Sequence, residues 1–120
     1  TLLDKNVNKE QFELLYGITT GFYNTQEKKY KSIMPKWDNE DYINKSVNLL
    51  YKLITKDNYN VGDVQKALNW AINDDFWCNK VLTLTTLRNK AKNGNTKFTN
   101  LYLSYKGSVK PTKYQGGILQ

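Results

Sequence analysis

The residues that could carry chemistry are few. Two adjacent carboxylate pairs occur, Glu40-Asp41 and Asp74-Asp75. Neighbouring residues on a helix point to different sides, so neither pair makes a general acid/base couple by itself. Each pair stands at an expected helix start, where carboxylates complement the helix dipole. A two-metal nuclease would need Asp38, Asp41, Asp74 and Asp75 to converge from distant parts of the chain. There is no histidine and a single cysteine, Cys78. That removes the usual zinc sites and both Ser-His and Cys-His catalysis. Cys78 lies between Trp77 and Lys80 and reads as a small buried residue rather than a nucleophile. Lys106-Gly107-Ser108 has the wrong residue order for a phosphate-cradling loop and lacks its upstream glycine. The expectation is a binding module and not an enzyme, with no catalytic residue, no metal ligand and no cofactor.

Binding chemistry is better represented. All eleven acids lie at or before Asp75, and the first 75 residues carry a net charge of −1. The following 45 residues hold seven Lys and Arg88 with no acid, a net +8. So lopsided a surplus points to a polyanionic partner. Cations there interleave with rings: Lys97, Phe98, Tyr102, Tyr105, Lys106, Lys110, Lys113 and Tyr114. Lysines offset phosphate charge, and aromatic faces stack on unpaired bases. The candidate DNA-contacting residues are Lys80, Arg88, Lys90, Lys92, Lys97, Lys106, Lys110, Lys113 and Tyr105. Two plainer readings stand beside this one. A lysine-rich surface can serve solvation alone, and the Arg88–Lys92 cations can complement a helix C-terminus.

These residues need elements to hold them. Asn8 followed by Gln11 resembles a capping box, and Phe12, Leu15, Ile18 (or Thr19) and Phe22 follow with helical spacing. Gly17 and Gly21 weaken this helix, and their spacing admits close approach of another backbone. The polar stretch Asn24–Lys36, ending near Pro35, reads as a loop. Asp38 caps a second helix with the apolar stripe Ile43, Val47, Leu50, Leu53 and Ile54, leaving at Asp57-Asn58. Asn60 or Asp63 caps a third, with Val64, Ala67, Leu68, Ala71 and Ile72 inward and Trp70 beside them. Residues 76–91 are ambiguous. Val81 to Thr85 alternates like a strand, yet Trp77, Val81, Leu84, Leu87 and Ala91 share one helical face. A lone strand would leave backbone groups unpaired. A short helix over 74–80 and another over about 84–92, capped by Thr83 and ended by Gly94, are therefore expected. Asn95 or Thr96 caps a last helix bearing Phe98, Leu101, Tyr102 and Tyr105. Trp70, Phe76, Trp77 and Leu87 are assigned to the core.

The chain's 120 residues fit one domain. The predicted fold class is all-α: a compact bundle of five or six short helices over residues 1–106, then a flexible basic tail over 107–120. No apolar run reaches the length of a membrane span. The start, Thr1-Leu2-Leu3-Asp4, has neither the charge nor the cleavage site expected of a signal peptide, and with no starting Met the expectation is a piece cut from a longer protein. One cysteine fits a reducing, cytoplasmic compartment.

From Val64 onward the residues form a distinctive series. The chain runs Val64-x-x-Ala67-Leu68-x-Trp70-Ala71, then Asp75-Phe76-Trp77, then Leu84-x-x-Leu87-Arg88, then Lys97-Phe98-x-x-Leu101-Tyr102-Leu103. This resembles the C-terminal domain of replication initiation proteins from phages of Gram-positive bacteria, replisome organisers and DnaD-like proteins among them. The likeness covers about 40 residues, most of them apolar. It implies an all-helical domain that binds DNA without strong sequence preference and helps recruit a replicative helicase or its loader, in the host cytoplasm. Two departures separate this chain from particular branches. Gly62 and Lys66 stand where DnaD has Tyr and Ile before the Trp, and Asn89 stands where one phage branch has Pro. The alternative function is protein docking without DNA, to a helicase, a helicase loader or a host factor that the phage inhibits.

Overall fold

A computed structural model describes residues 1–109. They form four α-helices: α1 (Lys9–Tyr30), α2 (Glu40–Thr55), α3 (Val61–Ala71) and α4 (Lys97–Ser108), with one 3-10 turn at Lys31–Ile33. There is no strand among the described residues, so the all-α expectation holds, with fewer helices than the five or six anticipated. α1 packs on α2 and α3, and α3 packs on α4.

α1 starts on the capping box. The Asn8 side chain accepts from the Gln11 amide at 2.8 Å, and Gln11 accepts in return from the Asn8 amide at 3.0 Å. Its buried face runs Leu15, Ile18, Thr19, Phe22, Tyr23 and Gln26. The loop expected over Asn24–Lys36 is a correction: the helix continues to Tyr30 and tightens into the 3-10 turn. No glycine or proline interrupts Asn24–Tyr30, and the stretch resembles a loop only because its inward residue is the polar Gln26. The close approach anticipated at Gly17 and Gly21 does not occur, since a Cβ at either would meet nothing within 4 Å.

α2 is capped by Asn39, whose side chain accepts from the Tyr42 amide, rather than by Asp38 one position earlier. Ile43, Val47, Leu50 and Leu53 are buried, and Ile54 lies half-buried at their edge. The chain leaves through Asn58, whose φ of 62° is a left-handed geometry that asparagine tolerates. Asn60 caps α3, and Val64, Ala67, Leu68, Ala71 and Ile72 close over the core. Thr96 caps α4, which buries Phe98 and Leu101. α4 runs on through Gly107 and Ser108. This corrects the start of the tail expected over 107–120, and the rest of that tail from residue 110, with Lys110 and Lys113, lies outside the described residues.

Residues 72–96 correct the sequence reading most. Neither the 74–80 helix nor the 84–92 helix forms, and Gly94 ends no helix. The segment is a succession of turns. Asp74 accepts from the Phe76 and Trp77 amides, and one helical bond from Cys78 to the Asp74 carbonyl closes a single turn. Trp77, Val81, Leu84 and Leu87 are buried as their spacing required, though turns deliver them, and Ala91, the fifth residue of that face, is exposed on the turn that follows. Side chains of α1 make this possible by supplying the missing backbone partners. Gln26 Nε2 donates to the Cys78 and Val81 carbonyls at 2.7 and 2.9 Å. The Tyr23 hydroxyl accepts from the Leu84 amide at 3.0 Å. Around it Ser46, Thr83, Tyr42 and Thr85 form a chain of hydroxyl contacts. Burial pushes the Tyr23 phenol above its ordinary value, so it stays neutral here.

Candidate nucleic-acid interface

The end of this turn segment folds back on itself. Lys90 and Thr96 form an antiparallel bridge. The Ala91 amide donates to the Asn95 carbonyl at 2.8 Å, and the Lys97 amide to the Asn89 carbonyl at 2.9 Å. The turn closes at Gly94, whose φ of 87° suits a residue without a Cβ. One more bond, from the Phe98 amide to the Leu87 carbonyl, ties the hairpin to the core. Asparagine side chains brace the turn, with Asn100 Oδ1 accepting from both Asn93 and Asn95 at 3.0 Å. Asn93 Oδ1 also accepts from the Asn95 amide. The result is a braced hairpin, and Lys90 and Lys92 are exposed on it.

The predicted residues fall into distinct surroundings. Lys90 and Lys92 share the hairpin, and Lys97 opens α4 directly behind it. Lys97 is half-buried, and this burial pushes its ammonium below the usual lysine range. Lys106 is exposed in the last turn of α4, 5.9 Å from the Tyr102 ring centre. Tyr105 is half-buried against Trp70 and Tyr102. Lys80 stands on a separate turn, 4.2 Å over the Phe76 ring. Arg88 is engaged within the fold. Its Nε and Nη2 donate to the two oxygens of Asp57 at 2.9 and 3.1 Å, and these bonds raise the guanidinium further above its already high value. Lys110 and Lys113 are outside the described residues.

Two features escaped the sequence reading. Trp70, assigned to the core, is only half-buried at its edge, and Phe76, assigned with it, is 60 % exposed. Its neighbour Trp77 fills the inward position, and one turn offers room for one of the two rings. The second feature is a row of rings on the α3/α4 face. Tyr59 lies 5.2 Å from Tyr102, Tyr102 lies 6.2 Å from Tyr105, and Tyr105 lies 6.1 Å from Trp70. The three-residue step from Tyr102 to Tyr105 announced one pair, but only the packed fold brings Tyr59 and Trp70 into line. As for metal chemistry, no three His, Cys, Asp or Glu residues gather among the described residues. The convergence of Asp38, Asp41, Asp74 and Asp75 that a nuclease would need is therefore absent there.

Comparison with known families decides the lineage. A family model described as phage replication protein O, C-terminal domain, matches residues 23–101. The chain belongs to this family. The match begins at Tyr23, the hydroxyl that holds the turn segment, and ends at Leu101 in α4, so it takes in the hairpin and its anchors. No curated protein and no solved structure gives a match. Membership gives the protein O domain a role in the initiation of phage DNA replication, as the Val64–Leu103 resemblance implied. No helix among the described residues is long and apolar enough to cross a membrane.

Proposed function

We propose that this protein O domain is a non-catalytic module that grips DNA through its phosphates, with little sequence preference, and helps bring the replicative helicase or its loader to that DNA in the host cytoplasm. The observation that carries the reading is the braced hairpin. It holds Lys90 and Lys92 in open solvent, with Lys97 behind them, inside a stretch of 45 residues that has no acid. Backbone bonds fix the hairpin, so only the lysine side chains have to be ordered on phosphate. Lys106, nine residues along α4 and so half a turn around it from Lys97, adds a separate exposed cation beside Tyr102. Arg88 acts indirectly, because its fork on Asp57 secures the segment from which the hairpin springs.

Fluorescence anisotropy with a labelled oligonucleotide at two salt concentrations tests this. Binding should fall steeply with salt. Changing Lys90, Lys92 and Lys106 to Ala should flatten the slope by roughly 0.7–0.9 for each phosphate that is no longer neutralised. Absence of binding at low salt would remove the DNA reading.

A second reading rests on Phe76. A large exposed ring beside Lys80 has the character of an anchor for a protein partner. Phe76→Ala should then abolish capture of the helicase or loader while leaving DNA binding and the melting temperature unchanged.

A further inference from the structure

We infer that Tyr59, Tyr102, Tyr105 and Trp70 form a stacking ledge for the bases of single-stranded DNA, so that the domain prefers an unpaired strand to a duplex. This deepens the DNA reading above and rests on it. The four rings are contiguous, with successive centres 5.2, 6.2 and 6.1 Å apart. All four are half-buried. Their inner sides lie on the core: the buried Phe98 meets Tyr59 edge-on at 4.8 Å and stacks with Tyr102 at 6.1 Å. The Tyr59 hydroxyl is tied to Thr99 at 2.6 Å. These rings have already lost their rotamer freedom, so a base that stacks on them does not have to order them.

The ledge also lies on a cationic surface. Lys106 stands over the Tyr102 ring. Lys66, exposed on α3, is one turn before Trp70. Along α4, Lys97, where the hairpin joins the helix, lies about 12 Å in axial rise from Tyr105 at 1.5 Å per residue. The only acid of α3, Asp63, is in its first turn, where the helix dipole favours it. Phosphate contacts on the hairpin and base contacts on the ledge therefore fit one strand running along α4. A duplex hides its base faces in its own stack, and only an unpaired strand can offer them.

The test uses the 120-residue chain and three probes of equal length: oligo-dT, an abasic strand with the same phosphates, and a duplex. The expected result is oligo-dT binding at least about tenfold tighter than the abasic strand, and tighter than the duplex. Tyr105→Leu should weaken oligo-dT binding about five- to tenfold while leaving abasic binding and the salt slope unchanged. Equal binding of oligo-dT and the abasic strand would overturn the ledge, leave the phosphate grip standing and assign these rings to a protein contact. Tighter binding of the duplex would likewise overturn it. No binding to any probe would overturn the ledge and the DNA reading together. Should Tyr105→Leu fail to fold, tryptophan fluorescence of the unaltered chain decides. Trp37 and Trp77 are buried and Trp70 is half-exposed, so oligo-dT should quench the emission and the abasic strand should not. Equal effects of the two strands would overturn the proposal.

Discussion

Residues 9–71 and residues 72–96 bury their apolar side chains by different means. The first region pairs its backbone internally, in three helices whose caps come from adjacent asparagines. The second has no long run of internal bonds and borrows its partners from Gln26 and Tyr23, more than fifty residues away. The first region is nearly neutral in charge, and the second, past Asp74 and Asp75 near its start, carries only cations. The helical region serves as scaffold, and the borrowed region carries Lys90 and Lys92, the hairpin part of the proposed DNA contacts. A loop dressed with lysines needs such a scaffold, because its like charges give it no reason to compact alone.

The sharpest way to break this contrast is to empty the core where the two regions meet. Trp77→Ala should destabilise the domain by roughly 3–5 kcal/mol, read from urea unfolding. A variant that melts like the parent would show that the turns are not anchored through Trp77. Next in size is Tyr23→Phe. It leaves the Leu84 amide and the Ser46 hydroxyl without their shared partner, at a cost of about 1–3 kcal/mol. Hydrogen exchange should rise first at Leu84 and its neighbours, while α2 amides stay protected. If exchange rose evenly along the chain, the two regions would be one cooperative unit.

Arg88 and the hairpin lysines make a crossed pair of smaller effect. Arg88→Ala should cost about 1 kcal/mol of stability, because the ion pair is partly open to solvent, and should leave the salt slope of DNA binding unchanged. Lys90→Ala with Lys92→Ala should do the reverse. The smallest effect lies in α1. Gly17→Ala and Gly21→Ala place methyl groups in open space and should each add roughly 0.5–1 kcal/mol. Thermal melts of both single variants check this, and a loss of stability would mean that the glycine positions are not open.

Much of the scaffold was legible because its signals are local. Asn8 with Gln11, the stripe from Ile43 to Leu53, and the Asn60 and Thr96 caps each act within one or two turns of themselves. The identity of the core was largely legible too: helical spacing marks Trp77, Val81, Leu84, Leu87 and Ala91 as inward, and all but Ala91 lie inward. Their backbone was not legible, because the decisive bonds come from Gln26 and Tyr23 across the fold. For the same reason the polar Asn24–Tyr30 stretch reads as a loop. Its inward residue is a glutamine whose partners are carbonyls that no local pattern reveals. On the candidate site, composition singles out Lys90, Lys92 and Lys97 as one cationic stretch. It has no means of showing that Asp57, just past the end of α2, occupies Arg88.

The bond between the Tyr23 hydroxyl and the Leu84 amide spans 61 residues, which has a consequence for the order of assembly. Contacts so distant in sequence form late, after their loop-closure entropy has been met by nearer ones. On a ribosome, α1 and α2 emerge well before the turns that they organise. The turns from Cys78 to Leu84 therefore settle only once α1 is in place, whereas the bonds that close the hairpin are local. An unfinished chain can close that local turn and still lack the seated segment on which it is mounted.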